Sequence, residues 1–172
     1  QKQTLFDITT NILNGIKPVL ETEKPDVVLV HGDTSTTFAT ALACFYLQIP
    51  VGHVEAGLRT FNKYFHFPEE VNRRLTGVIA DLHFSPTVSN RKNLLAENVS
   101  ENDIFITGNT VIDALKTTVR DDFEFKTPEL QNIDFEGKRV IVMTAHRREN
   151  LGAPMKNMFR AIKRIMDEHP DT

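Results

Sequence analysis

Two short apolar runs of this sequence each end in a histidine and, two residues later, an acid. The first pattern, HGD, ends at Asp33, and the second, HVE, ends at Glu55. Carboxylates in a crevice can accept and donate protons, so these acids are candidates for general acid/base chemistry. An acid that directly follows a buried parallel strand lies where open α/β sheets bind their ligands. The alternative is that Asp33 only caps the next helix, in competition with Thr34, Ser35 and Thr36.

A third candidate group is His146, which two arginines follow directly in the stretch TAHRREN. Guanidinium groups bind phosphate through paired hydrogen bonds, and imidazole can donate to a phosphate or move a proton near neutral pH. The group lies between a predicted strand and a helix N-terminus, which also favours anions. The alternative is a charged surface loop in which Arg147 and Arg148 pair with Glu149. Acids on one wall of a cleft, with an imidazole and cations on the other, fit a nucleotide sugar.

The elements that must position these groups alternate between helices and short strands. Two runs are apolar on both faces, which is typical of parallel strands that are covered on both sides: Val27–Val30 and Ile49–Val54. The helix predicted between them makes the two strands parallel, and right-handed crossovers bring their carboxyl ends to one edge of a sheet. Helices are predicted over residues 3–21, 35–48, 68–79, 87–95, 110–119 and 155–166, and further strands over 80–85, 103–107 and 139–143.

The loop 56–67 has no hydrophobic periodicity, and loops of about a dozen residues inside a compact domain are usually functional or mobile. The helix after it carries Glu69 and Glu70 in its first turn, where acids complement the helix dipole at the surface. Salt bridges from these acids to Arg73 or Arg74, one turn later, are expected. The buried face of this helix is predicted to consist of its apolar residues, Val71, Leu75, Val78 and Ile79.

Composition and charge exclude several classes of protein. The 172 residues include 20 basic and 23 acidic side chains, with a formal charge of −3 and no basic run that would follow a nucleic acid. The one cysteine, Cys44, is predicted to be a small core residue. No segment reaches the ~18 to 20 consecutive apolar residues that span a bilayer, and no signal peptide is recognised at the start. We expect a soluble cytoplasmic protein without nucleic-acid or membrane partners.

The fingerprints of several other functional sites are missing from the sequence. It contains no GxGxxG, no GxxxxGK[ST] and no GxSxG. His31, Asp33, His53 and Glu55 can be drawn as metal ligands, but no HExxH motif or Cys/His pairing accompanies them. We therefore predict no metal site.

The order of elements predicts an α/β fold in a chain that is an excerpt of a longer one. An α/β sheet does not normally open and end on a helix, and the first residue is Gln rather than Met. Residues 120–138 are polar and lack periodicity, which is typical of a linker between domains. We predict a first domain over 1–119, this linker, and the start of a second domain over 139–172.

Six motifs closely resemble those of the non-hydrolysing bacterial UDP-N-acetylglucosamine 2-epimerases. In chain order they are HGDTSTT, VGHVEAGLRT, PEEVNRRLT, ADLHFSPT, IFITGNTVIDAL and TAHRREN. The resemblance covers nearly the whole chain from about Gln3, and it makes the chain the middle portion of the family's sequence. It implies two Rossmann-like α/β domains of the GT-B type with the active site between them. Residues 1–119 are then the later part of the N-terminal domain, and 139–172 the first strand and helix of the C-terminal domain.

The same resemblance implies a reaction and its residues. UDP-N-acetylglucosamine and UDP-N-acetylmannosamine interconvert without a redox cofactor, through loss of the C2 proton, expulsion of UDP to leave a glycal, and re-addition with the proton on the opposite face. By motif, the catalytic residues are Asp33, Glu55, Glu69 and His146, and all of these except Glu69 also contact the nucleotide sugar. The resemblance further implies a homodimer and a role in the synthesis of cell-surface polysaccharide.

Some members of this family also bind UDP-N-acetylglucosamine at a regulatory position beside the active site. Gln3 and Glu69 match residues that contribute there. The sequence departs from the family's pattern where Lys2 replaces an Arg, because Lys cannot supply the two-pronged hydrogen bonding of a guanidinium. It departs again where Phe65 and His66 replace the Ser-Pro that usually follows the tyrosine at position 64.

Two alternatives are a GT-B glycosyltransferase, which shares the architecture but transfers the sugar to an acceptor, and a non-catalytic nucleotide-sugar-binding or dimerisation module. By the resemblance, much of the nucleotide pocket lies outside residues 1–172. We therefore expect these residues alone to have little or no epimerase activity.

Overall fold

The computed structural model describes residues 3–133, 135–145 and 150–172. None of the described helices is both long and apolar enough to cross a membrane. The elements in chain order are helix α1 (Leu5–Glu23), strand β1 (Val28–His31), α2 (Ser35–Tyr46), β2 (Val51–Val54), α3 (Glu69–Ile79), β3 (Leu82–Ser85), α4 (Val88–Ala96), β4 (Ile104–Ile106), α5 (Thr110–Thr118), α6 (Pro128–Gln131) and α7 (Ala153–Glu168).

The strands β1 to β4 form one parallel sheet in chain order. The register sets Val30 of β1 against His53 of β2, and His53 against His83 of β3. A helix lies between each strand and the next, so the carboxyl ends of all these strands lie at one edge of the sheet. The predicted α/β class with a parallel sheet is thus confirmed.

The covered face of the sheet carries an apolar cluster at the β1–β2 side. Val30 and Val51 pack there with Leu20 of α1 and Cys44 of α2. Cys44 is fully buried, as predicted, and burial raises the pKa of its thiol. The opposite face is open at Leu29, which is 62% exposed, although the apolar pattern predicts cover on both faces. Strands added in one direction through right-handed crossovers place their connecting helices on one side of the sheet, which explains the difference.

Helix α3 buries its polar face rather than its apolar one. Its buried residues are Glu70, Asn72, Arg73, Thr76 and Gly77. The predicted burial of its apolar residues is wrong for Val71, Leu75 and Val78, which are 37%, 42% and 84% exposed. Only Ile79 packs against the apolar cluster. The polar side chains can be buried because each has hydrogen-bond or ion-pair partners within the fold, which removes most of the cost of leaving water.

The backbone divides into two compact units, Gln1–Val119 and Arg120–Thr172. In the second unit, helix α7 forms as predicted, and its Ile162, Ile165 and Met166 line a cavity of about 530 Å³. Residues 139–143, predicted as a strand, lie in no strand of the described chain, so that prediction is wrong. A strand needs a partner to pair with, and the described residues of this unit offer none.

Residues 120–138, predicted as a linker, carry structure of their own. They contain α6 and three aromatic rings in contact, with Phe125 between Phe123 and Phe135. The assignment of this segment as a linker, and of the two flanking segments to N-terminal and C-terminal domains, stays a prediction.

Candidate active site

Asp33 lies at the carboxyl end of β1, in the turn that leads into α2. Gly32 before it has a φ of +73°, a left-handed conformation that costs glycine little. The N-cap of α2 is Thr34, whose side chain accepts the backbone N–H of Thr37. Asp33 is therefore not the helix cap, and its carboxylate has another partner. Its Oδ2 lies 2.8 Å from Nη2 of Arg73 in α3.

Glu55 follows β2 and has an uncommon backbone conformation. Its φ of +69° lies in the left-handed region, which costs a residue with a side chain about 1–2 kcal/mol. Such strain persists where surrounding contacts fix it, and it is frequent at functional sites. The Glu55 carboxylate accepts a hydrogen bond from Asn109 Nδ2 at 3.3 Å and lies 3.5 Å from His31 Nε2.

The two strand ends are joined directly, which brings their acids to the same edge. The backbone N–H of Gly32 donates to the carbonyl of Val54 at 3.0 Å, one residue before each acid. His31 is 59% exposed on its side chain and also lies 3.5 Å from Thr110 Oγ1. Asn109 and Thr110 are candidates that the sequence alone does not single out. The available signal is their position just after β4, the last strand of the parallel sheet.

Glu70 attaches the loop 56–67 to helix α3. The residue has no exposed surface, so it is not the surface acid that helix physics suggests. Its carboxylate accepts the backbone N–H of Thr60 at 2.9 Å and that of Phe61 at 3.2 Å. Through these two hydrogen bonds, the buried Glu70 carboxylate fixes the position of the middle of the loop relative to helix α3.

Arg73 and Asn72, also in α3, hold the residue Asp33 at two places. Arg73 pairs with the Asp33 carboxylate and lies 3.7 Å from the Glu70 carboxylate. Asn72 Nδ2 donates to the backbone carbonyl of Asp33 at 3.0 Å. The salt bridge expected within the helix therefore exists, but Arg73 makes its shorter contact to a residue 40 positions away in the chain.

The start of the loop is fixed by a second group of contacts. A Cβ on Gly57, whose φ is +87°, would lie 2.4 Å from the backbone oxygen of Asn90, so only glycine fits there. Arg59, whose side chain is 1% exposed, donates to both carboxylate oxygens of Glu97, the C-cap residue of α4, at 2.8 and 2.7 Å. These hydrogen bonds lower the pKa of Glu97. Arg74 pairs with Glu97 as well, at 3.6 Å, rather than with an acid of its own helix.

Two histidines are buried beneath this edge of the sheet. His53 and His83 are 1% and 2% exposed. Burial lowers the pKa of His53 to about 4 and also lowers that of His83, because an imidazolium loses its hydration in the interior. His53 Nε2 is 2.8 Å from the carbonyl oxygen of Gly32 and so supports the turn before Asp33. Among the described residues, no group of three or more His, Cys, Asp and Glu side chains is arranged to hold a metal ion.

The remaining predicted site residues have few described contacts or lie outside the described residues. Glu69 is the first residue of α3 and is partly buried, and its backbone carbonyl accepts from Arg73 Nε at 3.3 Å. Gln3 is exposed, two residues before α1 begins. Lys2 and His146 lie outside the described residues, as do the two arginines after His146. The catalytic, substrate-binding and regulatory roles stay predictions.

Comparison with known proteins extends over the whole chain. Residues 1–172 match the family model described as UDP-N-acetylglucosamine 2-epimerase. A UDP-N-acetylglucosamine 2-epimerase of Bacillus subtilis is 58% identical over 171 residues, which are 99% of this chain and 44% of the relative. The chain therefore spans less than half the length of the curated relatives that it matches.

Solved structures agree with this match. The S. aureus MnaA–UDP co-structure aligns with a TM-score of 0.91 at 51% identity, over 99% of this chain and 46% of that one. The UDP-GlcNAc 2-epimerase of Neisseria meningitidis, bound to UDP-GlcNAc, aligns with a TM-score of 0.66 at 57% identity, over 68% of this chain and 32% of that one. With one family model matching every residue and relatives of this identity, the chain belongs to the UDP-N-acetylglucosamine 2-epimerase family.

Proposed function

We propose that this chain is the middle portion of an enzyme that interconverts UDP-N-acetylglucosamine and UDP-N-acetylmannosamine at C2, for the synthesis of cell-surface polysaccharide. The observation that carries the proposal is the meeting of Asp33 and Glu55 at one edge of the parallel sheet, with His31 against Glu55. Both carboxylates are partly exposed there, at 29% and 28% of their side chains, so a ligand can reach them. Family relatives with UDP or UDP-GlcNAc bound support the ligand class.

The proposed reaction needs proton transfer on both faces of one carbon. A carboxylate takes the C2 proton, the electrons of the C–H bond form the C1–C2 double bond, and UDP leaves C1 with the electrons of the bond to oxygen. UDP then adds back to C1 as a proton is delivered to the other face of C2. Asp33, Glu55 and Glu69 are the proposed proton-transfer groups, since positioned carboxylates accelerate such steps by about 10²–10⁴-fold.

Binding of the diphosphate is assigned to the second domain. We propose His146 and the arginines after it as donors to the diphosphate, because guanidinium and imidazolium groups bind phosphate oxygens strongly. Much of the rest of the nucleotide pocket is assigned to segments outside residues 1–172. These residues alone should then have little or no turnover, and clear epimerisation by the isolated chain would contradict that assignment.

Further properties of the full-length protein belong to the same proposal. It is a cytoplasmic homodimer, it uses no redox cofactor, and Gln3 and Glu69 contribute to a regulatory UDP-N-acetylglucosamine site. The exposed position of Gln3 leaves it accessible to such a ligand.

The test is exchange of the C2 proton with solvent. The full-length protein is incubated with UDP-N-acetylglucosamine in heavy water, and we expect deuterium at C2 in both epimers. Asp33→Asn and Glu55→Gln should each lower the exchange rate by about 100-fold or more, with a smaller loss of ligand affinity. Glu21→Gln, an exposed acid of α1 paired only with Lys17 in the described chain, is the matched control and should exchange at the normal rate.

Three outcomes contradict the proposal. Transfer of the sugar to an acceptor without deuterium at C2 indicates a glycosyltransferase. Tight binding with neither exchange nor transfer indicates a binding module. Unchanged exchange in both amide variants shows that these two carboxylates do not move the proton.

A further inference from the structure

The ion pair between Arg73 and Asp33 is asymmetric. The Arg73 side chain is 9% exposed and lies in the interior beneath the edge of the sheet, whereas the Asp33 side chain is 29% exposed. One partner is thus part of the packed interior, and the other is open to ligands. A buried guanidinium with fixed neighbours can set the direction of the more exposed carboxylate, because it moves less than the group it holds.

Every nitrogen of the Arg73 guanidinium has a defined neighbour. Nε donates to the Glu69 carbonyl at 3.3 Å, Nη1 lies 3.7 Å from the Glu70 carboxylate, and Nη2 lies 2.8 Å from Asp33 Oδ2. Contacts at all three of its nitrogens restrain the guanidinium. The direction from which Asp33 is held therefore follows from the position of helix α3.

Helix α3 also fixes the backbone of the same residue. Asn72 donates to the carbonyl oxygen of Asp33, so residue 33 is held both at its backbone and at its carboxylate by neighbouring residues of one helix. An ion pair that only stabilised the fold would need no second attachment to the turn. Glu70 already provides the buried guanidinium with an acid, which makes the contact to Asp33 additional to charge compensation.

We propose that Arg73 is a positioning residue for Asp33: it holds Oδ2, so that Oδ1 is the oxygen that meets the sugar. This inference rests on the proposed function and adds to it the residue that aims one of its acids. A carboxylate that rotates freely reaches the productive orientation only part of the time, and displacement of a reacting group by about 1 Å can cost about 100-fold in rate.

The first test is structural and does not depend on turnover. A crystal structure of the full-length Arg73→Gln variant should show the Asp33 carboxylate in a different side-chain rotamer from the wild type, or in more than one. An Asp33 carboxylate unmoved in that variant would overturn the inference, whatever reaction the protein catalyses.

The second test is kinetic, on the full-length protein. Arg73→Gln should lower kcat for C2 exchange by about 100-fold and change KM by less than about threefold, since the interaction acts on the reacting geometry. Arg74→Gln is the matched control, because the neighbouring arginine pairs with Glu97 and is 54% exposed on its side chain; its kcat should not change. In an Asp33→Asn background, Arg73→Gln should lower kcat by less than a further factor of about three, because the carboxylate that Arg73 orients is already absent.

A variant that misfolds leaves the inference open to a second substitution. If Arg73→Gln does not fold, Arg73→Lys keeps the charge but cannot contact all three neighbours, and kcat should fall by about tenfold. Normal kcat in Arg73→Lys then overturns the inference, and so does full additivity of Arg73→Gln with Asp33→Asn. If the wild-type protein exchanges no C2 proton, the proposed function fails by itself, and the crystal structure still decides whether Arg73 orients Asp33.

Discussion

Under α1 and α2 the covered face of the sheet is mainly apolar. Under α3 and α4 most of the buried side chains are polar, apart from a small apolar cluster of Ala56, Leu94 and Ile104. The first region, here called the apolar half, contains Leu20, Val30, Ala41, Ala43, Cys44 and Val51. The second, here called the polar half, contains His53, Glu70, Asn72, Arg73, Thr76, His83, Ser85 and Asn90. The same sheet thus has two different kinds of interior on one face.

The apolar half stabilises the fold by packing, whereas the polar half fixes the loop and the turn at the edge of the sheet where the acids lie. Packing in the apolar half depends on volume and apolar area, which many side-chain combinations can supply. In the polar half, buried groups such as Glu70 and Arg73 must find specific partners, and those partners are the loop 56–67 and the turn at Asp33. A helix that gives up burial of its apolar face for such contacts gains a fixed geometry at the edge where the acids lie.

Close backbone approach in the polar half gives the largest predicted effect. Gly57→Ala places a Cβ 2.4 Å from the Asn90 oxygen at a φ of +87°. Left-handed strain and overpacking should together lower the free energy of unfolding of the full-length protein by about 4 kcal/mol, measured by chemical denaturation. Gly15→Ala is the control, because a Cβ there has nothing within 4 Å in α1, and it should raise stability by up to about 1 kcal/mol. Equal effects of the two substitutions would contradict the prediction.

A cavity in the apolar half should lower the free energy of unfolding slightly less than Gly57→Ala does. Leu20 is 5% exposed in the apolar cluster, and Leu20→Ala should lower the free energy of unfolding by about 3 kcal/mol. Val19→Ala, at a half-exposed site in the same helix, should change it by less than about 0.5 kcal/mol. C2 exchange under folding conditions should survive Leu20→Ala, since the apolar half supports the site without forming it. A specific loss of kcat in a folded Leu20→Ala protein would weaken the distinction between the halves.

The apolar half and the strand ends are the parts of the molecule that could be predicted from the sequence. Apolar runs and helical periodicity are local signals, and they locate the helices and strands of the first unit. Strand-end logic then finds Asp33 and Glu55, because the carboxyl edge of a parallel sheet follows from the crossover rule. The wrong prediction of a strand at 139–143 shows the limit of such local signals, because an apolar run forms a strand only where another strand pairs with it.

The polar half depends on contacts that are distant in the chain. The face of α3 is misassigned because hydrophobic periodicity places Val78 inside, whereas the partner of Arg73 lies 40 residues earlier at Asp33. Asn109 reaches Glu55 across 54 residues, and that contact depends on strand order, which periodicity does not give. The positive φ of Glu55 has no marker in its residue type.

The smallest predicted effect is a pH dependence that belongs to the polar half. The pKa of His53 is about 4 in the folded protein, mainly through burial, against about 6.5 when unfolded. Because the unfolded state then binds the proton more readily, the contribution of His53 to stability is present above about pH 6.5 and is lost as the pH falls towards 4. From about pH 7 to pH 5, His53 should account for a loss of about 2 kcal/mol in the free energy of unfolding. His53→Gln should remove that part of the slope, whatever packing energy it costs at pH 7. An identical slope in wild type and His53→Gln would show that the buried imidazole is not the group that links this interior to pH.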